Sequence, residues 1–319
     1  MEIGGYIEFE KYNRPMLHEK AIKLNCGRNA LAYLLETKSI KKICMPKFMC
    51  DSCDGVLKKY KVSVRYYSID LNFKPIDLSL AENEWLYIVN FYGQLTNEFI
   101  SELKSIYHRI IVDYAQAYFQ KPVDGVDTLY TCRKFFGVAD GAILYTDKKM
   151  KRNIPIDESF ERMRFLLGRF ERTASEFYSE YVENNRLFEK ESIKKMSKLT
   201  ENLLRSIDYD MVKQKRTQNF IYLHKRFKEI NKLSLIDISG AFMYPLYIEN
   251  GAEVRTLLQQ HKIYIPTLWP AVFNRCNENE LEYDMAKNIL PLPIDQRYGN
   301  EELNYMIETI VVNYRPYTS

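Results

Sequence analysis

The chain has 319 residues, of which 46% are hydrophobic and 28% are charged, and its formal net charge is +4. This composition is typical of a folded globular protein and excludes a disordered or fibrous one. Because basic and acidic residues are interspersed, the charge argues against a dedicated nucleic-acid-binding protein. No apolar run reaches the length of a membrane span, and the N-terminal MEIGGYIEFE lacks the apolar core of a signal peptide. We therefore expect a cytoplasmic protein.

The first half of the chain alternates short β-type runs with helical patterns. Residues 25–37 predict a loop that opens a helix, and residues 97–107 predict another helix. Six runs rich in β-branched and aromatic residues predict strands, at 40–46, 61–69, 85–93, 109–115, 126–132 and 141–147. Strands that alternate with helices are typical of an α/β fold with a mostly parallel sheet and helices on both faces. In such sheets, ligands bind beyond the C-terminal ends of the strands.

The second half of the chain changes character twice. Residues 156–232 have a helical pattern and many charges, which indicates solvated amphipathic helices. The remainder predicts a compact α+β unit, with strands at 241–248 and 262–269 and helices at 251–261 and 300–312. We therefore predict a large α/β domain over residues 1–235, including the helical segment, and a small C-terminal α+β domain over residues 236–319.

Several polar residues occur where the predicted strands of the first half end. Asp113 closes one strand, Gln116 follows three residues later, and Lys134 comes about twenty residues after Asp113. A charged side chain in such apolar surroundings is costly unless it is paired or has a chemical role. The loop at residues 26–29 leads into a helix N-terminus, where free backbone amides and the helix dipole favour a phosphate. Together these parts suit pyridoxal 5'-phosphate (PLP), which needs a lysine for the imine and an acid at its pyridine nitrogen.

The same stretches carry motifs of a known family. They resemble the DegT/DnrJ/EryC1/StrS family of PLP-dependent sugar aminotransferases, which have the fold-type I architecture of aspartate aminotransferase. The similar motifs are GRNAL (27–31) for the family's G-[TS]-x-A-L, PKFMC (46–50) for P-x-[FY], VDYAQ (112–116) for V-D-x-A-Q, and TCRK (131–134) with ADGA (139–142) for S-x-R-K and DGG. LPID (292–295) and Trp269-Pro270 resemble the small domain of the same branch.

The resemblance implies a role for each matching residue. Lys134 would form the Schiff base with PLP, and Asp113 would face the pyridine nitrogen, so these two are the predicted catalytic residues. Gln116 would lie near the ring hydroxyl. The other predicted cofactor-binding residues are Gly27, Arg28 and Asn29 at the helix start, Thr131 near the phosphate, and Cys50 at the position that stacks on the ring.

The resemblance also implies an activity and an architecture. The expected enzyme transfers an amino group from glutamate or glutamine to a keto-sugar, linked to a nucleotide, in nucleotide-sugar metabolism. It would act as a cytoplasmic homodimer with active sites at the subunit interface, and it would bind neither nucleic acid nor a membrane. The implied fold is a three-layer α/β/α PLP-transferase domain, for which we expect seven strands, with a small C-terminal α+β domain.

Two departures from the family pattern keep alternatives open. The stacking position, usually aromatic, falls on Cys50 or Met49, and the Asn or Arg motif that a neighbouring subunit lends to the phosphate is not recognisable in residues 150–230. The alternatives are another PLP reaction, such as elimination or dehydration, and a non-catalytic fold-type I protein with a regulatory or binding role. The retained Lys134 argues against the dehydratase branch, which has histidine there. A nucleotide-binding protein without PLP would need a fuller glycine-rich loop than CGRN.

The cysteines predict no further site. Cys50 and Cys53 form a lone CxxC, and the four histidines are distant from it in sequence. A zinc site would require a second pair of ligands, and a redox role would require a thioredoxin-like context. We expect reduced, structural thiols and no bound metal.

Overall fold

The computed structural model describes residues 3–313. Eight strands form one large sheet: β1 (Ile22–Leu24), β2 (Lys42–Pro46), β3 (Ser63–Ile69), β4 (Pro75–Ile76), β5 (Trp85–Val89), β6 (Ile110–Asp113), β7 (Asp127–Thr131) and β8 (Ala142–Tyr145). Their order across the sheet is β1-β8-β7-β6-β5-β2-β3-β4. The central strands β3, β2, β5, β6 and β7 are mutually parallel, whereas β8, β1 and β4 pair antiparallel with their neighbours.

Helices flank this sheet and separate its parallel strands. The helices of the first half are α1 (Gly27–Thr37), α2 (Asp54–Lys59) and α3 (Asn97–Tyr107). Helix α1 packs on β7 and β8, and α3 packs on β6. The prediction of an α/β fold with a mostly parallel sheet is confirmed, but the sheet has eight strands rather than seven. Strands β1 and β4 were not predicted because runs of three and two residues are too short to show a period.

The helical segment and the C-terminal part complete the fold. The segment after the sheet contains α4 (Arg164–Glu171), α5 (Tyr178–Lys190), α6 (Lys198–Leu204) and α7 (Tyr209–Phe227). The C-terminal part contains β9 (Met243–Tyr247), α8 (Gly251–Gln260), α9 (Val272–Arg275), α10 (Leu281–Asn288), β10 (Ile289–Pro293) and α11 (Asn300–Asn313). The prediction of helices across 156–232 is confirmed.

The predicted strand at 262–269 is wrong. That stretch carries positive φ angles at both ends, at Lys262 and Trp269, and Pro266 interrupts its backbone donors. Strand β9 instead pairs antiparallel with β10, whose sequence ILPLP did not predict a strand. Both strands of a two-stranded sheet are edge strands, so prolines are tolerated where the missing N–H would face outward.

Two hydrophobic clusters form the interior. One surrounds the large sheet, and the other lies between α7, α8, α11 and the two-stranded sheet. Helix α7 contributes Phe220, Leu223 and Phe227 to the second cluster, although we assigned it to the large domain. The boundary at residue 235 stays a prediction. No helix within residues 3–313 is long and apolar enough to cross a membrane.

Candidate active site

Asp113 lies at the C-terminal end of the central strand β6, and its carboxylate is held by two donors. The Tyr87 hydroxyl donates to Oδ2 at 2.9 Å, and the Ala115 backbone N–H donates to Oδ1 at 2.7 Å. Burial raises the pKa of Asp113 above its ordinary value, while the charge of Lys134 and the two hydrogen bonds act in the opposite direction. Among the described residues Asp113 makes no ion pair, so Lys134 acts on this carboxyl only through the field of its charge.

Lys134 lies in a tight turn immediately after β7. The backbone N–H groups of Phe135 and Phe136 both donate to the carbonyl of Cys132, at 3.0 Å each. The Lys134 side chain is exposed, and its Nζ lies 5.5 Å from the ring centroid of Phe242. A lysine with apolar neighbours is expected to be buried, but Lys134 is not.

A buried arginine is hydrogen-bonded to this turn. Arg216 of α7 is 1% exposed and donates to the carbonyl oxygens of Phe135, Ala241 and Phe242 and to Gln296 Oε1. Gln296 also donates to the Phe135 carbonyl, at 2.9 Å. Burial lowers the pKa of Arg216 to about 10. Because a guanidinium has several donors in a rigid fork, one side chain connects the lysine turn to the start of β9.

Gln116 is buried and holds the turn that follows β5. Its Oε1 accepts from the Tyr92 backbone N–H at 2.7 Å. Tyr92 has a φ of +54°, a left-handed conformation that is uncommon for a residue other than glycine. Within residues 3–313 the Nε2 of Gln116 makes no hydrogen bond, so both N–H donors of this amide are left for a ligand.

The N-terminus of α1 presents free backbone amides. Its N-cap residue, Cys26, makes no side-chain capping bond, and the first turn contains no acidic residue. Asn29 is buried, and its Nδ2 donates to Asn25 Oδ1 at 3.0 Å and to the Ser192 carbonyl at 2.7 Å. The Asn29 side-chain donor is thus used within the fold, whereas the backbone at Gly27 and Arg28 keeps the character of an anion site.

The remaining predicted residues lie on neighbouring elements. Thr131 is the last residue of β7, where it is buried and pairs with Ala142. Met49 is 3% exposed, so of the two candidates for the stacking position only Cys50 is partly accessible; its Sγ lies 2.8 Å from Ser52 Oγ. Burial, together with the charges of Cys50 and Asp113, raises the pKa of the Cys53 thiol. The CxxC segment therefore lies near the Asp113 carboxylate.

Three residues that contact the predicted ones or the turn beside them were not predicted from the sequence. Tyr87 is buried on β5, and its only sequence signal was its position two residues before the end of a strand adjacent to β6. Asn185 of α5 contacts both Arg28 and Arg133, and Arg216 fixes the lysine turn. The last two lie in a charged helical segment that the sequence analysis described as solvated.

Comparison with known proteins places this geometry in a known fold. The sugar aminotransferase CalS13 from Micromonospora echinospora is similar with a TM-score of 0.64 and 14% identity, over 93% of this chain and 88% of CalS13. A DegT DnrJ EryC1 StrS aminotransferase from Brucella abortus gives a TM-score of 0.61 and 13% identity, over 92% and 85% of the two chains. NtdA from Bacillus subtilis, solved with bound cofactor PMP, gives 0.65 and 14%, over 92% and 72%.

These likenesses concern the fold. No protein-family model matches the chain, and no curated protein matches it in sequence. The chain thus shares the fold of these aminotransferases over nearly its whole length, at 13–14% sequence identity.

Proposed function

We propose that the protein is a PLP-dependent aminotransferase. The observation that carries the proposal is the placement of Asp113 at the end of β6 and of Lys134 in the turn after the neighbouring strand β7, both at the C-terminal edge of the sheet. Strands β6 and β7 are parallel neighbours in the sheet, and α1 packs on β7. In a fold shared with sugar aminotransferases, this is the arrangement of an acid and an amine that PLP chemistry requires.

The donor set fits this cofactor. PLP has an anionic phosphate and a ring nitrogen that must stay protonated, and the chain offers a helix N-terminus for the first and a carboxylate for the second. A buried donor without a partner, Arg133 Nε, lies in the same region. The residues that would hold the group are Asp113 at the ring nitrogen, Gln116 Nε2 at the ring oxygen, Cys50 at the ring face, and Gly27, Arg28, Asn29 and Thr131 around the phosphate.

The side chains divide the work of the reaction. When bound, PLP supplies an aldehyde and an electron-accepting ring. The Asp113 carboxylate, held by Tyr87 and Ala115, would keep a proton on the ring nitrogen. Lys134, on an exposed side chain in a hydrogen-bonded turn, would hold the cofactor and carry a proton at its Nζ to and from the substrate. The hydrogen-bonded carboxylate and the exposed amine suit these two tasks.

For the substrate, the similar structures support a sugar. We propose that the acceptor is a keto-sugar carried on a nucleotide and that the donor is glutamate or glutamine. We also propose a homodimer. Its support is a group of apolar side chains on and near α4 and α5 that are at least 60% exposed: Phe160, Leu167, Phe170 and Tyr178. Phe160 and Leu167 line one groove, and contiguous exposed apolar groups mark association surfaces.

The first test is an absorption spectrum of the protein with PLP. The wild type should show a visible band that borohydride fixes onto Lys134, and Lys134→Ala should lack it. Lys121→Ala, which removes an exposed lysine elsewhere, is the matched control and should keep the band. Conversion to the PMP form by an amino donor, reversed by a keto-sugar nucleotide, would establish amino transfer. A folded wild type that binds no PLP would refute the enzyme and leave a binding protein with this fold.

A further inference from the structure

Two arginines lie beside the N-terminus of α1 without a carboxylate partner. Arg28 is in the first turn of the helix, and Arg133 immediately precedes Lys134. Within residues 3–313, the hydrogen bonds of both guanidinium groups go to one neutral residue, Asn185. Two positive charges are therefore held at the positive end of a helix, where electrostatics would otherwise disfavour them.

The electrostatic surroundings show that this arrangement is costly. Burial lowers the pKa of Arg133 and the charge of Arg28 acts in the same direction, while Cys26, Tyr181 and Asp140 act in the opposite direction with smaller effects than burial. The Nε of Arg133 is buried and has no hydrogen-bond partner among the described residues. A buried donor without a partner costs free energy, and so does a pair of like charges. An anion placed between these groups would remove both costs.

The charges of the two guanidinium groups change the pKa values of nearby thiols. Both lower the pKa of the Cys26 thiol, against the larger effect of burial, so both lie near the N-cap of α1. Arg28 also acts on the Cys53 thiol, which in turn is affected by Asp113. Helix α1, which carries Arg28 in its first turn, also packs on α2 and on the turn Asp51–Cys53 that precedes it.

Helix α5 of the same chain orients both arginines. Arg28 Nη1 donates to the backbone carbonyl of Asn185 at 3.1 Å, and Arg133 Nη1 donates to Oδ1 of the same residue at 2.6 Å. The guanidinium of Arg133 also lies 4.6 Å from the ring centroid of Phe188, one turn further along α5. Fixed guanidinium groups lose less conformational entropy when they bind a ligand, which is a form of preorganisation.

We propose that Arg28 and Arg133 form a two-arginine clamp for the phosphate of the cofactor, aligned by Asn185 of their own chain. This inference rests on the proposed function, because it names further residues of the same site. The clamp supplies charge where the Asn29 side chain does not, since its donor is committed to Asn25 and Ser192. Guanidinium groups match phosphate oxygens with paired, charge-assisted hydrogen bonds.

The test compares a ligand that has the phosphate with one that lacks it. Dissociation constants for PLP and for pyridoxal are measured from the visible band in the wild type, Arg133→Gln and Arg28→Gln. Each substitution should weaken PLP binding about 10- to 100-fold, the size expected for a charge-assisted hydrogen bond, and leave pyridoxal binding within about twofold. Arg164→Gln, an exposed arginine of α4, is the charge-matched control and should change neither constant.

Arg133→Lys and Asn185→Ala keep the test decisive if Arg133→Gln does not fold. Arg133→Lys keeps the charge and should retain part of the preference for PLP over pyridoxal, and Asn185→Ala should reduce that preference. Unchanged PLP binding in both glutamine variants would overturn the clamp and leave the proposed function intact. If the wild type forms no band, thermal stabilisation by inorganic phosphate decides: its loss in the glutamine variants would support an anion site without PLP chemistry. If inorganic phosphate does not stabilise the wild type either, the clamp is overturned as well.

Discussion

Replacing Tyr87 by phenylalanine removes one atom that matters, the hydroxyl that donates to Asp113 Oδ2 at 2.9 Å. The ring stays in a fully buried position on β5, so packing changes little. A hydrogen bond to a charged group contributes about 1.5–3 kcal/mol, whereas one between neutral groups contributes about 0.5–1.5 kcal/mol. We therefore expect Tyr87→Phe to reduce the free energy of unfolding by about 1.5–3 kcal/mol when Asp113 is ionised and by less when it is protonated.

The pH dependence of this effect has a definite sign. Burial raises the folded-state pKa of Asp113 above its unfolded value, so the stability that this carboxyl contributes is present at low pH and is lost as pH rises through the folded-state pKa. The Tyr87 hydroxyl lowers that pKa, so its removal raises the pKa further and makes the loss larger. The destabilisation by Tyr87→Phe should therefore increase with pH.

The assay is urea unfolding of both forms without cofactor, between about pH 4 and about pH 8. Tyr67→Phe is the matched control, because Tyr67 is a buried tyrosine of β3 whose hydroxyl donates to a neutral group, the Tyr87 carbonyl, at 2.9 Å. Its substitution should cost less and show no dependence on the charge of Asp113. Equal losses for the two variants across the pH range would refute the reasoning.

Three further predictions concern stability. Asp140→Asn should destabilise the fold by about 1.5–3 kcal/mol in urea unfolding, because the buried carboxylate accepts hydrogen bonds from Ser197 and Thr200. A Cβ on Gly251 would lie 2.0 Å from the backbone oxygen of Asn288, so Gly251→Ala should lower the melting temperature. A Cβ on Gly55 would have no atom within 4 Å, so Gly55→Ala should stabilise α2 by about 0.5–1 kcal/mol. Burial lowers the pKa of His18 to about 4. The free energy of unfolding should therefore fall by about 3 kcal/mol as the pH drops from the pKa of an unfolded histidine to the pKa of His18 in the fold. His18→Phe should abolish this slope in acid unfolding curves.

Much of the sheet could be predicted from the sequence because buried parallel strands are continuous apolar runs. Strands β2, β5, β6 and β7 all lie within predicted ranges. Once they are placed, the polar residues after them must share one edge of the sheet, and Asp113 at the end of β6 and Lys134 in the turn after β7 both lie at that edge. Their detailed roles stay predictions.

The environment of these residues could not be predicted for a physical reason. Asn185 is 157 residues from Arg28 and 52 from Arg133, and no local pattern reports such a contact. The charged segment was predicted to be solvated, yet Arg216 in it is almost completely buried. A count of charges shows that a helix is polar but does not show which charge turns inward. The exposure of Lys134 was missed because apolar neighbours indicate a buried stretch of chain and leave the direction of one long side chain open.

The buried guanidinium of Arg216 has a mechanical consequence. It binds the Phe135 carbonyl, next to Lys134, and the Ala241 and Phe242 carbonyls that precede β9, so the lysine turn and the C-terminal strands share one rigid joint. A displacement of β9 or α7 would therefore strain the hydrogen bonds that hold the backbone beside Lys134. The exposed four-carbon side chain of Lys134 is outside this hydrogen-bonded joint, so it can change rotamer without disturbing the C-terminal strands.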